Sequence, residues 1–251
     1  MTRRPATVVV GAMVAVALLG GCAQEPQRPQ VTVYAAASLT SAVSALAQAF
    51  AHTHPEFEVH APVFDGSSAL AMQLVEGAPA TVFAAADPVT MRVVEESGLL
   101  ASEPEPFATN TMQLAVAAGN PLGIDGLGDL DAPGLEVVVC AREVPCGAVA
   151  RSLLDDAGVA LQVASEEQNV AAVATKVRVG EADAGLVYAT DILAAGGQLD
   201  GVTIEGADKE ANTYEIAVVD SRWNSAATEF VRWVLSAEGR STLAAHGFGE
   251  P

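Results

Sequence analysis

The chain has 251 residues, 51% of them hydrophobic, and a formal net charge of −19 from 12 Lys and Arg against 31 Asp and Glu. So few basic groups argue against binding nucleic acid, whose phosphates need clustered Lys and Arg, while acidity by itself speaks for solubility and names no ligand. An anion site in such a chain has to supply its favourable field locally.

Arg3 and Arg4 precede an apolar run over residues 8–19, which ends in Leu19-Gly20-Gly21-Cys22. This is the layout of a secretory signal, and the run is shorter than the roughly 20 residues a bilayer-crossing helix needs. The Leu-Gly-Gly-Cys ending resembles a bacterial lipobox. That implies a signal over residues 1–21, lipidation of Cys22, and an acyl anchor on a membrane. A twin-arginine signal is the other reading of Arg3-Arg4, and Pro5-Ala6 lends it little support. Residues 22–30 are rich in Gln and Pro and read as a tether.

The body from Val31 onward alternates strands and helices. Residues 31–35 read as a strand, and Val43, Leu46, Ala47 and Phe50 then recur at helical spacing. Residues 57–64 form a second strand, and 69–76 a helix closed by Gly77 and Pro79. A strand over 82–86 and a helix over 88–98 follow, then a strand over 112–118 and a loop rich in Gly, Pro and Asp to residue 134. Beyond it come a strand over 136–140, helices over 147–157 and 169–179, strands over 184–188 and 214–219, and two closing helices over 226–235 and 237–246. This order predicts an α/β fold of parallel sheets flanked by helices, with chain enough for one large domain or two lobes.

Two consecutive units carry the same device. The strand over 31–35 runs through small residues into Ser38 where a helix starts, and the strand over 58–64 runs through Asp65-Gly66 into Ser67-Ser68 at another helix start. Open α/β sheets bind ligands at that edge, and a helix start offers free N–H groups to an anion. A single serine there is an ordinary N-cap; the repetition favours a ligand. Cys140 and Cys146 remain once Cys22 is assigned to lipid, and a disulfide is favoured over free thiols in an oxidising compartment. His52, His54, Glu56 and His60 outline a surface metal site, but a solvated turn is the better reading. Neither a Ser-His-Asp arrangement nor a Gly-x-Ser-x-Gly elbow is evident, so no enzyme, cofactor or bound metal cation is expected.

Six blocks, in order, carry a family resemblance. Ala35-Ala36-Ala37-Ser38-Leu39-Thr40 opens the set and Phe64-Asp65-Gly66-Ser67-Ser68-Ala69-Leu70-Ala71-Met72-Gln73-Leu74 follows. Gly77-Ala78-Pro79-Ala80 with Phe83 and Ala86-Asp87 is the third block, and Pro145-Cys146-Gly147 the fourth. The tyrosine segment from Gly180 to Asp191 and the ending His246-Gly247-Phe248 complete it. Together they resemble the molybdate-binding proteins of ABC importers over nearly all the chain after the tether. The resemblance implies a two-lobed periplasmic-binding-protein fold of the second type, each lobe a mostly parallel sheet flanked by helices. Residues 31–112 plus 219–251 would form one lobe and 113–218 the other, the chain crossing near Met112 and returning near Tyr214–Val219. It further implies an oxyanion held in the cleft by Ser38 and Ser67, by the backbone N–H groups of Cys146 and Val170, and by the Tyr188 hydroxyl. Molybdate would be the ligand, with tungstate close behind. A permease and its ATPase would be the partners of a monomer anchored outside the cell membrane or in the periplasm.

Two positions depart from the family pattern. Cys146 stands where alanine is common, which spares a backbone donor. Asp65 stands where a small or hydroxyl residue is usual. Its carboxylate either caps the turn before Ser67 or faces the site, where it would repel a dianion or accept a proton from hydrogen phosphate. Sulfate, phosphate or another oxyanion is the alternative ligand on the same fold, with a hydrolytic enzyme or a passive adhesin further off.

Overall fold

In the computed structural model the described residues are 28–219 and 225–251; the leader, Cys22 and the tether as far as residue 27 lie outside them. β1 (Gln30–Val31) pairs with β3 (Glu58–Val59) in a small parallel ribbon. β2 (Val33–Ala36) alternates its side chains between two helical layers. Val33 and Ala35 meet α1 (Thr40–Thr53), which buries Val43, Leu46, Ala47 and Phe50 as the helical spacing predicts. Tyr34 points to the opposite face and joins α2 (Ser67–Val75), reached from β4 (Val63–Asp65). β5 (Val82–Ala85) alternates the same way, with Val82 and Ala84 on one side and Phe83 and Ala85 on the other, the latter against α3 (Pro88–Glu96). A strand buried on both faces reads as a continuous apolar run rather than an alternation, which is why β2 and β5 are legible but their faces are not.

β6 (Glu105–Asn110) then passes through Thr111 directly into β7 (Met112–Ala117), and these two strands lie in different sheets. The second sheet adds β8 (Val137–Cys140), α4 (Pro145–Asp156), β9 (Ser165–Glu167), α5 (Val170–Arg178), β10 (Ala184–Tyr188), α6 (Ala189–Ala194) and β11 (Leu199–Thr203). The chain returns to the first sheet as β12 (Asn212–Val218) and closes with α7 (Ser225–Val234) and α8 (Ala237–Ala245), which pack beside α1. The strand orders are β4-β2-β5-β12-β6 and β11-β7-β10-β8-β9.

The α/β architecture of mostly parallel sheets with flanking helices is the expected one: four of the five strands in each sheet run the same way, and one is reversed. β12 runs antiparallel to β5 and β6, and β7 antiparallel to β10 and β11, because these are the crossing strands, which enter their sheets from the opposite lobe. The lobe boundaries, however, move. Met112 already pairs with Tyr188 in the second sheet, and Asn212–Val218 belong to the first, since they are hydrogen-bonded on both sides there. The return therefore lies before Asn212, not at residue 218.

Candidate functional site

Ser38, Ser67, Cys146, Val170 and Tyr188 come from five separate segments and line one pocket between the two sheets. All are buried, with Ser38 8%, Ser67 2% and Tyr188 1% exposed. Among the described residues no charged side chain lines this pocket. Its free volume is about 20 Å³, far below the roughly 300 Å³ at which pockets for organic ligands begin. A larger crevice of about 350 Å³ lies alongside Ser38, with Arg178, Asp191 and His246 on its walls. It is not where the donors gather.

Each serine oxygen is tied to the protein by one hydrogen bond. The Ala86 N–H donates to Ser67 Oγ at 3.0 Å. Ser38 Oγ lies 2.8 Å from the Tyr214 hydroxyl, which in turn accepts from Asn110 Nδ2 at 3.4 Å. Burial pushes the Tyr214 hydroxyl well above its usual pKa, so it keeps its proton and can donate to Ser38. Ser67 Oγ thus accepts from the protein and keeps its O–H for the pocket, and Ser38 does the same when Tyr214 is the donor of their shared bond, in which either hydroxyl can donate. Ser67 is the first residue of α2, with Gly66 as its N-cap, so its neighbourhood also presents N–H groups that no helix carbonyl satisfies.

The second sheet contributes two helix starts and a tyrosine. Cys146 is the second residue of α4, after Pro145, and Val170 the first of α5; neither N–H has a partner within its helix. Cys146 is disulfide-bonded to Cys140 at the end of β8. Gly147 follows because nothing larger fits: a Cβ there would lie 1.8 Å from the Ala141 carbonyl oxygen. The Tyr188 hydroxyl and Asn212 Oδ1 are both buried and neither completes a hydrogen bond, but they lie near enough that Asn212 acts on the Tyr188 hydroxyl. Burial, then the neighbouring Tyr214, Asp191 and Asp87, raise the Tyr188 pKa well above 10, with the Asn212 side chain partly opposing, so it too stays a donor. A buried hydroxyl left unsatisfied costs about 1–3 kcal/mol, and an acceptor in the pocket would recover it.

Asp65 does not line the pocket. Its Oδ1 accepts from the Gly66 N–H at 2.7 Å and from Asn169 Nδ2 at 2.9 Å, so the carboxylate caps its own turn and reaches the other sheet. Asp191 accepts from the Tyr188 N–H at 3.0 Å, and burial pushes its carboxyl up to about 7, the Tyr188 bond partly opposing.

The histidines are engaged elsewhere. The His54 ring stacks on Phe50 at 4.3 Å and meets Trp233 edge-on, while His60 Nδ1 lies 3.0 Å from Thr32 Oγ1. Among the described residues no three His, Cys, Asp or Glu gather as a metal site. Ser41 Oγ pairs with His246 Nδ1 at 2.8 Å, but no carboxylate bonds that ring among the described residues, so it is not oriented as a catalytic base. Sequence reasoning missed Tyr214, Asn110 and Asn212. All three sit on or beside the crossing strands, and no local motif announces them.

Comparison with known proteins places this geometry. The profile of the bacterial extracellular solute-binding proteins matches residues 31–249. The molybdate-binding protein ModA of Mycobacterium tuberculosis H37Rv is 45% identical over 222 residues, covering 88% of this chain and 85% of the relative. Among solved structures, the periplasmic molybdate-binding protein of Azotobacter vinelandii superposes with a TM-score of 0.75 at 20% identity, covering 88% of this chain and 99% of that one. The sulfate-binding protein SubI of Mycobacterium tuberculosis gives the same TM-score and identity, covering 88% of this chain and 86% of that one. The structural likenesses speak for the fold alone.

Proposed function

The chain belongs to the bacterial extracellular solute-binding proteins, among the molybdate-binding members that serve ABC importers, and we propose that it captures molybdate and hands it to a permease with its ATPase. One observation carries the choice of ligand class: a small, buried pocket whose polar side chains are all neutral, and in which the Tyr188 hydroxyl completes no hydrogen bond.

A tetrahedral dianion without a proton can only accept hydrogen bonds. Ser38, Ser67 and Tyr188 would donate O–H, and Cys146 and Val170 would donate N–H from helix starts. Bonds to an ionised acceptor are worth about 1.5–3 kcal/mol each, and the helix starts add a favourable local field. Such a set can offset the cost of dehydrating the anion without a cation, and against a chain charge of −19. Hydrogen phosphate carries a proton that would need an acceptor, and no carboxylate lines this pocket among the described residues. Size would separate molybdate from the smaller sulfate, while tungstate, nearly equal in size, would bind comparably. Lipidation at Cys22 would keep the protein, as a monomer, at the outer face of the membrane; among the described residues no helix is long and apolar enough to cross one.

Thermal-shift competition tests the ligand. Molybdate and tungstate should raise the melting temperature at concentrations where sulfate and phosphate do not. A larger shift with sulfate or phosphate would transfer the site to that anion.

A further inference from the structure

We infer that Asp65 is a closure latch: its carboxylate, bonded across the cleft to Asn169, keeps the lobes shut over the bound anion and sets how slowly the anion leaves. This rests on the anion-binding reading above.

Asp65 is the residue that reading leaves unexplained. A fixed negative charge one residue from the Gly66-Ser67 helix start should cost affinity for a dianion. The geometry shows what it does instead. Oδ1 takes one hydrogen bond from its own lobe, the Gly66 N–H at 2.7 Å, and one from the other, Asn169 Nδ2 at 2.9 Å. The Asn169 amide is not free to turn over. Its Oδ1 accepts from the Ala172 N–H at 3.0 Å as the N-cap of α5, which leaves Nδ2 for Asp65. Val170, whose N–H faces the pocket in the reading above, is the next residue. The latch and a ligand donor thus share one helix start.

The surroundings are built for contact between lobes. Ser68 Oγ donates to the Glu143 carbonyl at 3.0 Å. At Gly66 the backbones come so close that a Cβ would lie 2.3 Å from the Gln168 carbonyl oxygen. An ionised acceptor makes the Asp65 bond about twice as strong as a neutral one, and the bond forms only when the lobes meet. It therefore acts on release rather than on capture.

The test is stopped-flow kinetics of molybdate binding and release with the full protein, comparing Asp65→Ala, Asp65→Asn and Asn169→Ser. Serine keeps the N-cap of α5 but cannot reach Asp65. Asp65→Ala and Asn169→Ser should each speed dissociation roughly ten- to hundred-fold, the worth of a charge-assisted bond, with association little changed. Asp65→Asn keeps an acceptor without the charge and should recover part of the slow release. Combining Asp65→Ala with Asn169→Ser should add little to either alone. Unchanged or slower release in Asp65→Ala and Asn169→Ser would overturn the latch and leave Asp65 a through-space repulsion. If the unaltered protein fails to bind molybdate, the ligand assignment fails. The latch is then read with whichever of sulfate or phosphate raises the melting temperature: faster release of that anion from Asp65→Ala supports it, and unchanged release overturns it.

Discussion

At the residue scale, the serines matter through what holds them. Tyr214→Phe removes a hydroxyl that touches no ligand yet fixes Ser38 Oγ. Asn110 keeps Thr190 Oγ1 as a partner at 2.8 Å, so the change leaves no orphaned donor. Calorimetry should show molybdate affinity down by about 1 kcal/mol, roughly fivefold; no change would mean Ser38 is oriented by other means. Ser67→Ala should cost more, roughly ten- to hundred-fold in affinity, and should also lower the melting temperature because the buried Ala86 N–H loses its acceptor. Asp191 predicts a pH dependence. Burial raises its carboxyl from 3.8 to about 7 in the folded protein. A carboxyl raised on folding contributes stability that is present below its unfolded pKa and lost as pH climbs through the folded value. Unfolding at a series of pH values should therefore show the parent losing stability relative to Asp191→Asn between about pH 4 and 7. Parallel profiles would contradict it. The residues that the motifs nominated meet around one pocket, because each motif sits at a strand end that the two sheets turn toward each other. Tyr214, Asn110 and Asn212 were not legible: their importance comes from where the crossing strands pass, which is a property of the fold and not of their neighbours in sequence.

At the scale of elements, the strongly patterned ones could be read from the residues and the short polar ones could not. α1 showed itself by Val43, Leu46, Ala47 and Phe50, and β8 by its run of valines. β6 did not, since Pro106 and Asn110 give it the look of a loop; Pro106 is tolerated because β6 is an edge strand. β9 is Ser-Glu-Glu, β11 contains Asp200-Gly201, and α6 has only six residues, so none offers a period to detect. The glycines at element starts carry a sharper lesson. Gly66 has φ −57° and ψ 134°, which alanine adopts freely. Nothing in its own lobe forbids a side chain; the obstacle is the Gln168 carbonyl of the other. Gly66→Ala should thus fold normally by circular dichroism and melt like the parent without ligand, yet bind molybdate at least tenfold more weakly because the lobes cannot close, on the order of 1.4 kcal/mol. Normal affinity would show that closure does not bring these backbones together.

At the scale of the molecule, two α/β lobes are joined through Thr111 and through the return ahead of β12, and their sheets present helix starts to one another. Few crossings and a pocket at the seam are what a hinge closing on a ligand requires. The strand alternation made the fold class legible, but strand direction in the crossing strands and the point of return were not, since both depend on which lobe a strand joins. Small-angle scattering should record a smaller radius of gyration on adding molybdate, and an unchanged radius would contradict closure. In this reading neutral groups alone hold an unprotonated oxyanion of molybdate's size. The decisive measurement is isothermal titration of the full protein with molybdate, tungstate, sulfate and phosphate. Molybdate should bind saturably and one-to-one, tungstate comparably and the other two much more weakly; absent molybdate binding, or tighter sulfate or phosphate binding, would rule out a site selective for molybdate.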